Sequence, residues 1–170
     1  MALILTKRVL HVVGIMDCAG QETFIMNIYR NINREKVLFD FLVHTDKEGF
    51  FDREILELGG IIHKIPVIKN SKFRVLIRML DNYKFYLKHP EYKTIHIHAS
   101  NAKCVLEMIP AKLAGVKNII VHSHSSSSSQ QNIHKLFRPI LKYMATNYFA
   151  CSESASKWMF DKKFLILVSC

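Results

Sequence analysis

The chain has 170 residues, of which 49% are hydrophobic and 22% are charged. This length suits a single domain, and the composition excludes a disordered, collagen-like or low-complexity protein because it supplies enough apolar side chains for a core. Lysine and arginine number 24 against 14 acidic residues, which gives a strongly basic chain with a formal net charge of +10.

The cysteines and the apolar segments predict where the chain resides. Cys18, Cys104, Cys151 and Cys170 are widely spaced, which argues against a disulfide framework or a zinc knot and favours a reducing cytoplasm. No apolar run approaches the roughly 18–20 residues of a membrane span. Lys7-Arg8 follows the apolar start, which is the wrong order for a signal peptide. We therefore expect a cytoplasmic chain, either soluble or peripheral on the inner face of the plasma membrane.

The first half of the chain alternates short apolar runs with segments of helical period. The pattern predicts strands at Val9–Val13, Val37–Val43 and Ile61–Ile65, and helices at Glu22–Ile32, Phe50–Leu58 and Phe73–Leu87. Gly59-Gly60 is a plausible end for the second helix, since glycine favours the left-handed backbone of a helix C-cap.

The second half repeats this alternation. It predicts strands at Thr94–His98, Asn118–Val121 and Tyr148–Cys151, and helices at Asn101–Ala114, Ile133–Met144 and Ser154–Phe160. Pro110 is expected to kink the first of these helices and Pro139 to interrupt the second. Buried strands alternating with helices predict an α/β fold: a doubly wound, mostly parallel, Rossmann-like sheet. Ligands bind at the carboxyl ends of the strands in such folds.

The loop Gly14–Gly20 joins the first strand to the first helix. Gly20 would let a phosphate or a sugar hydroxyl approach the backbone at the positive end of that helix. The spacing is not that of the dinucleotide-binding fingerprint. The alternative is that Gly20 only permits a turn.

Two His-x-His pairs, His96/His98 and His122/His124, end consecutive predicted strands. Both members of a pair lie on the same strand face. A four-histidine metal site is one interpretation, but acidic residues that would complete it are scarce nearby. We favour the other interpretation, in which His98 and His124 are neutral hydrogen-bonding or acid–base groups of the cleft and the deeper pair is structural.

Ser125–Ser129 is a run of five serines after the fifth strand. Such a run is typical of a flexible, solvated loop. The functional alternative is a mobile flap whose hydroxyl groups contact a polar ligand.

The predicted helix Phe73–Leu87 and its flanks combine apolar residues with five basic ones, Lys72, Arg74, Arg78, Lys84 and Lys88. This pattern describes an ordinary amphipathic helix, and it also suits the surface of an anionic membrane. Nucleic acid is the weaker candidate partner because no motif of the known nucleic-acid readers is present.

Several segments together resemble the retaining family 4 (group 1) glycosyltransferases of bacterial polysaccharide biosynthesis, which have the two-domain GT-B fold. The resemblance rests on residues 8–14 (RVLHVVG), 19–24 (AGQETF), 39–44 (FDFLVH), 57–60 (ELGG), 96–100 (HIHAS), 111–116 (AKLAGV), 122–125 (HSHS) and 151–153 (CSE). It covers about residues 8–160. No single motif is diagnostic, but the order and spacing of the motifs together are quite specific.

The resemblance implies roles for four residues. His124 corresponds to a histidine at the reaction centre, and Gly20 to the second glycine of a loop beside the donor diphosphate and the acceptor. His98 and Asn101 correspond to cleft positions, and Ser125 and Ser152 complete the predicted cleft set. Ala19 replaces the first glycine of the loop, where alanine would disfavour a positive φ.

The resemblance implies an acceptor-side domain at residues 1–160, a divergent tail at 161–170, and no donor-binding domain. The expected reaction moves a sugar from a nucleotide-diphosphate donor to a lipid-linked saccharide, without a metal or another cofactor. We expect this chain to be inactive alone, and a separate donor-binding subunit is a further expected partner. The alternative is a non-catalytic Rossmann-like binding or partner subunit, and a nucleic-acid binder ranks last.

Overall fold

The structure is a computed structural model that describes residues 6–66, 68 and 71–161. Six strands and six helices alternate along the chain. The strands are β1 (Lys7–Val13), β2 (Val37–Val43), β3 (Ile62–Lys64), β4 (Thr94–Ala99), β5 (Asn118–Ser123) and β6 (Asn147–Ala150). The helices are α1 (Gly20–Asn31), α2 (Asp52–Glu57), α3 (Arg74–Lys88), α4 (Val105–Leu113), α5 (Gln131–Met144) and α6 (Glu153–Phe160).

The strands form one sheet in the order β3-β2-β1-β4-β5-β6, and all neighbouring pairs are parallel. The order reverses at β1, as in a doubly wound fold, so the predicted fold class is confirmed. In register, His11 is opposite His96 and His98 is opposite His122. This places the histidines of three adjacent strands side by side.

Alternation along each strand divides the core into two layers. On one face, strand residues such as Leu10, Leu42 and Ile97 pack against α3, α4, α5 and α6. On the other face, Val13, Phe41 and their neighbours pack against α1 and α2. We call the second face the α1 face; the histidines of β1, β4 and β5 alternate with the residues of the first face and therefore belong to it.

Most predicted elements are found, with small changes at their ends. Gly59 and Gly115 follow α2 and α4 with φ of +87° and +84°, which is the left-handed backbone that glycine adopts without strain. The predicted helix from Asn101 divides into a 3-10 turn, Ala102–Cys104, and α4. The Asn101 side chain accepts a hydrogen bond from the Lys103 amide and caps that turn.

The predicted interruption at Pro139 is wrong, because α5 continues through it without a break. Pro110 likewise lies inside α4. A proline removes only one hydrogen bond of the helix, and in α5 the bonds on either side keep the helix intact. The described cysteines Cys18, Cys104 and Cys151 are free thiols.

Two other expectations concern the tail of the chain and membrane-spanning helices, and the structure addresses them only over the described residues. The predicted tail, 161–170, lies outside them apart from Asp161, which follows α6. Within the described part of the chain, none of the helices has both the length and the apolarity to cross a bilayer.

Candidate functional site

A cavity of about 530 Å³ lies at the carboxyl ends of β1, β2 and β4. Its polar lining residues come from strand ends, from the 3-10 turn and from helices α3 and α4: His44, Arg78, His98, Asn101, Lys103 and Glu107. The backbone of Gly14 forms part of its wall. This is the edge of the sheet at which parallel α/β folds bind ligands, and we call this cavity the cleft.

Glu107 organises the polar wall of the cleft. Its carboxylate accepts a 2.6 Å hydrogen bond from the amide of Asn82 and lies 2.9 Å from the guanidinium of Arg78. His44 Nε2 is 3.3 Å from Asn82 Oδ1 and 3.5 Å from the same carboxylate. Asn82 is fully buried. The network therefore fixes a carboxylate, a guanidinium and an imidazole at one surface, where they can meet hydroxyl and anionic groups of a ligand.

Three imidazoles form a hydrogen-bonded row on the α1 face. His11 Nδ1 lies 3.0 Å from His98 Nε2, and His98 Nδ1 lies 2.9 Å from His124 Nε2. His11 is buried, whereas His124 is half-buried. We call this row the imidazole chain; it runs from the interior of the sheet to the loop after β5.

A second cavity of about 200 Å³ lies under α1, against the same histidines. Its walls include Phe24, Phe39 and Phe149 together with His96 and His122. Buried ring nitrogens of His11, His96 and His122 have no hydrogen-bond partner among the residues that the structure describes. The cavity is therefore mainly aromatic and apolar, with a few imidazole nitrogens able to orient a ligand.

Burial lowers the pKa of every histidine in this cluster. It lowers the pKa of His11 and of His122 to about 3, and that of His124 to about 4. The pKa values of His96 and His98 also lie well below 6.5, first because burial penalises the charged ring and then because neighbouring imidazoles repel a second charge. All five rings are therefore neutral at pH 7.

The cluster contains the ligand atoms that a metal site would need. Nitrogens of His11, His96 and His98 lie within 4.8 Å of one another, as do those of His98, His122 and His124. Both triads consist of histidines alone. A divalent cation here would have no anionic ligand to balance its charge. The four-histidine alternative thus gains His11 as a neighbour but no carboxylate.

The start of α1 lies on the same rim as His124. Gly20 is exposed, and one turn later the Phe24 ring lies 6.1 Å from the His124 ring between centroids. Ala19 has a φ of −122°, so the alanine at this position causes no backbone strain, contrary to the expectation that it would oppose a positive φ. A Cβ atom added at Gly20 would meet nothing within 4 Å.

The predicted serines have identifiable local contacts. Asn101 donates through Nδ2 to Ser128 Oγ at 3.2 Å, which ties the serine run to the cleft. The carbonyl of Ser125 accepts from Ser123 Oγ. Ser152 caps α6, since its hydroxyl oxygen accepts the Ala155 amide. Of the six predicted residues, His98 and Asn101 are among those that line the cleft, although the His98 imidazole lies between His11 and His124 on the α1 face. The cleft lining does not include His124, Gly20, Ser125 or Ser152.

Contributors outside the six predicted residues include His11, Arg78, Lys103 and Glu107. The sequence indicates Arg78 only as one of five basic residues in and around an amphipathic helix, whereas its guanidinium turns to Glu107 and the cleft. Glu107 lies inside a helix, and its role depends on the packing of α3 against α4. His11 lies in the middle of an apolar run, where only its pairing with β4 reveals its neighbours.

Comparisons with known proteins give one curated relative and several structural neighbours. The chain is 33% identical over 162 residues to a protein of Bacillus subtilis (strain 168) named "Putative glycosyltransferase EpsF". The match covers 92% of this chain and 41% of that protein, so the chain spans less than half the length of its relative. No family model matches.

The structural neighbours share the fold at low sequence identity. MurG from Acinetobacter baumannii has a TM-score of 0.56 at 14% identity, covering 85% of this chain and 40% of its own. A "putative UDP-N-acetylglucosamine 2-epimerase" from Listeria monocytogenes has a TM-score of 0.58 at 10% identity, covering 91% and 41%. In each comparison, this Rossmann-like domain aligns with one part of a longer GT-B protein.

Proposed function

We propose that this chain, a relative of a named glycosyltransferase with the Rossmann-like fold of GT-B proteins, is the acceptor-side half of a glycosyltransferase. The proposed reaction transfers a sugar from a nucleotide-diphosphate donor to a lipid-linked saccharide of a cell-surface polysaccharide, with retention of configuration. The relative's name supports the reaction class. The neighbour named for UDP-N-acetylglucosamine supports the donor class.

The polar cleft is the observation that carries this proposal. It combines a carboxylate, Glu107, with two cationic groups, Arg78 and Lys103, at the carboxyl ends of the strands. Sugar hydroxyls donate to carboxylates, and the phosphate of a lipid carrier would attract the guanidinium and the ammonium group. A volume of about 530 Å³ accommodates a small ligand such as one or two sugar rings.

Catalysis in this proposal depends on His124 and the start of α1. The N–H groups at the start of a helix attract phosphate, and Gly20 leaves that backbone uncovered. Because its pKa is lowered to about 4, His124 is a neutral group that can accept or donate a hydrogen bond at neutral pH. The leaving diphosphate would be neutralised by helix ends and basic side chains rather than by a metal.

The chain is proposed to need a second, donor-binding part. The curated relative is more than twice as long as the match. We therefore propose that transfer requires a donor-binding domain or a separate donor-binding subunit, and that this chain alone does not transfer sugar.

The outer surface of helices α3 and α5 has the properties of a membrane-contacting surface. α3 and α5 both pack against α4, and both expose apolar side chains at helical spacing: Leu76, Leu80 and Leu87 on α3, and Leu136, Ile140 and Tyr143 on α5. Exposed lysines, including Lys84 and Lys142, accompany them. Such a surface suits anionic lipid rather than nucleic acid, and we propose the cytoplasmic face of the plasma membrane.

Calorimetry with an acceptor analogue tests the proposal. The probe is an N-acetylhexosamine joined through a diphosphate to a farnesyl chain. We expect Glu107→Gln to weaken binding about tenfold, which corresponds to about 1.4 kcal/mol. Glu54→Gln, which alters a carboxylate paired with Arg30 away from the cleft, is the matched control and should leave binding unchanged. Equal binding by all three proteins, or no binding, would favour a non-catalytic partner subunit.

A further inference from the structure

The two hydrogen bonds of the imidazole chain make the proton positions on its three rings depend on one another. His98 uses both ring nitrogens, with His11 on one side at 3.0 Å and His124 on the other at 2.9 Å. A neutral imidazole has one N–H donor and one bare nitrogen acceptor. His98 must therefore donate to one neighbour and accept from the other.

This requirement leaves two arrangements of protons. In the first, each of the three rings carries its proton on Nδ1: His11 donates to His98, and His98 donates to His124. In the second, each carries it on Nε2: His124 donates to His98, and His98 donates to His11. In either arrangement, His11, His98 and His124 have the same tautomer.

The surroundings keep the chain neutral, so that these two arrangements are the relevant ones. The titratable side chains beside the three rings are His96 on β4 and His122 on β5, whose rings lie 4.3 and 4.1 Å from those of His98 and His124. From the helix side, the neighbour of His124 is the Phe24 ring. Burial without an anionic partner lowers the pKa of each histidine, as described above.

We infer that His11 is a positioning residue for His124, and that it acts through His98 by coupling the position of the proton on His124 to the position of the proton on its own ring. A proton on His11 Nε2 leaves His124 Nδ1 bare, so that it accepts a hydrogen bond from a ligand. A bare His11 Nε2 places the proton on His124 Nδ1, which then donates. The two arrangements interconvert when one end of the chain loses a proton and the other end gains one.

Two features separate the ends of the chain. His11 Nε2 is buried and has no partner among the described residues, while half-buried His124 has its Nδ1 left over for a ligand. The interior end therefore has nothing that competes for its proton, and a ligand at the outer end decides the arrangement. Only the identity of that ligand rests on the proposed function: a sugar hydroxyl would select the accepting form and a phosphate oxygen the donating form.

Nitrogen-15 NMR of the histidine rings tests this inference on the whole chain, without any sugar transfer. Long-range proton–nitrogen correlations at pH 7.5 identify the protonated nitrogen of each ring. We expect His11, His98 and His124 to share one tautomer. Opposite tautomers at His98 and either neighbour would overturn the inference.

His134 provides an internal reference. Its Nδ1 accepts the Ala102 amide at 3.1 Å and its Nε2 donates to the Trp158 carbonyl at 3.1 Å, which fixes the Nε2–H tautomer. This tautomer should persist in every variant that is folded. The His134 signal therefore distinguishes a change of tautomer in the imidazole chain from a loss of folded structure.

The decisive variant is His11→Phe, and His122→Phe is its matched control. Phenylalanine removes the interior hydrogen bond, so His98 and His124 should change from one tautomer to a mixture. His122 is equally buried but is not a member of the imidazole chain, and its replacement should leave the shared tautomer intact. If His11→Phe loses the His134 reference signal, His11→Leu, which also lacks a hydrogen-bonding group, takes its place. An unchanged single tautomer at His124 in the folded His11 variant would overturn the inference.

The same spectra examine the metal alternative. One equivalent of Zn²⁺ added to the metal-free chain should leave the three rings unchanged. Stoichiometric shifts of His11 and His98 that reverse with a chelator would instead make them metal ligands and overturn the inference.

Discussion

His98 Nδ1 lies 2.9 Å from His124 Nε2, and this contact joins the end of β4 to the loop after β5. Both residues lie near the carboxyl end of a strand, which is where parallel α/β sheets bind ligands, and the sequence predicted both as site residues for this reason. His98 is one of the residues that line the cleft, and its imidazole connects His124 to His11 on the α1 face.

The buried histidines predict that the domain loses stability as the pH falls below neutrality. The unfolded chain takes up protons near pH 6.5, but the folded chain holds its rings neutral until about pH 4 for His124 and about pH 3 for His11 and His122. The stabilisation is complete above about pH 6.5 and decreases as the pH falls towards those values. We expect the free energy of unfolding in urea to decrease by about 3 kcal/mol or more between pH 7 and pH 5.

This pH range isolates the histidines from the carboxylates. A carboxylate with a lowered pKa, such as Glu54 beside Arg30, loses its stabilising charge only below about pH 4.5. Replacing His122 by phenylalanine should reduce the pH dependence, since one titrating ring is removed. A free energy of unfolding that is equal at pH 7 and pH 5 would contradict the predicted burial of the cluster.

Asp40 is predicted to be a major stabilising residue far from the cleft. It is fully buried, and it accepts hydrogen bonds from Arg8, Tyr92 and the Ile61 amide. Asp40→Asn should lower the free energy of unfolding by about 2–4 kcal/mol, because Arg8 and Tyr92 lose a charged partner. Glu54→Gln breaks a more exposed pair with Arg30 and should cost less than about 1 kcal/mol. Similar losses for the two variants, measured in urea, would show that the Asp40 network is not buried as described.

Alanine variants of Gly20 and Gly60 should have different effects, because we expect Gly20 to serve a ligand and Gly60 to serve packing. A Cβ atom at Gly60 would lie 2.6 Å from the Phe39 carbonyl oxygen, so Gly60→Ala should destabilise the domain by about 2 kcal/mol. Gly20→Ala has free space and should change stability by less than about 0.5 kcal/mol. If a ligand approaches the α1 backbone, Gly20→Ala weakens acceptor binding all the same. Unchanged binding would leave Gly20 as a turn residue only.

The exposed faces of α3 and α5 predict salt-sensitive binding to anionic vesicles. The chain should sediment with phosphatidylglycerol vesicles at low salt, bind less at high salt, and not bind phosphatidylcholine vesicles. Leu136 and Tyr143 are 68% and 75% exposed, and the double variant Leu136→Ser/Tyr143→Ser should reduce binding without loss of stability. Leu56→Ser, which changes an exposed leucine on α2, is the control. Binding that is indifferent to salt and to lipid charge would contradict an electrostatic contact.

The sequence pattern predicted the fold more completely than the site. Buried apolar runs located all six strands, and the bounds predicted for β2 match the structure. The error at Pro139 arises because a local rule counts the lost hydrogen bond and cannot count the bonds on either side. The order of the strands needed the structure, since several orders satisfy the same alternation.

The site was predictable where it consists of strand ends. His98 and Asn101 line the cleft because one is the second-last residue of β4 and the other lies two residues beyond its end. The rest depends on contacts between elements distant in sequence: Glu107 reaches Asn82 and Arg78 only because α4 packs beside α3. His11 joins the imidazole chain because β1 pairs with β4 in one register, which no local pattern specifies.

The most direct test of the acceptor-side assignment compares the two substrates of the proposed reaction on one sample. The amide and imidazole NMR signals of the cleft residues His44, His98 and Asn101 are followed during titration with the farnesyl-diphosphate-linked sugar and, separately, with UDP-N-acetylglucosamine. The assignment predicts saturable shifts of these signals with the lipid-linked sugar, at concentrations where the nucleotide sugar causes none. Saturable shifts with the nucleotide sugar alone would contradict it.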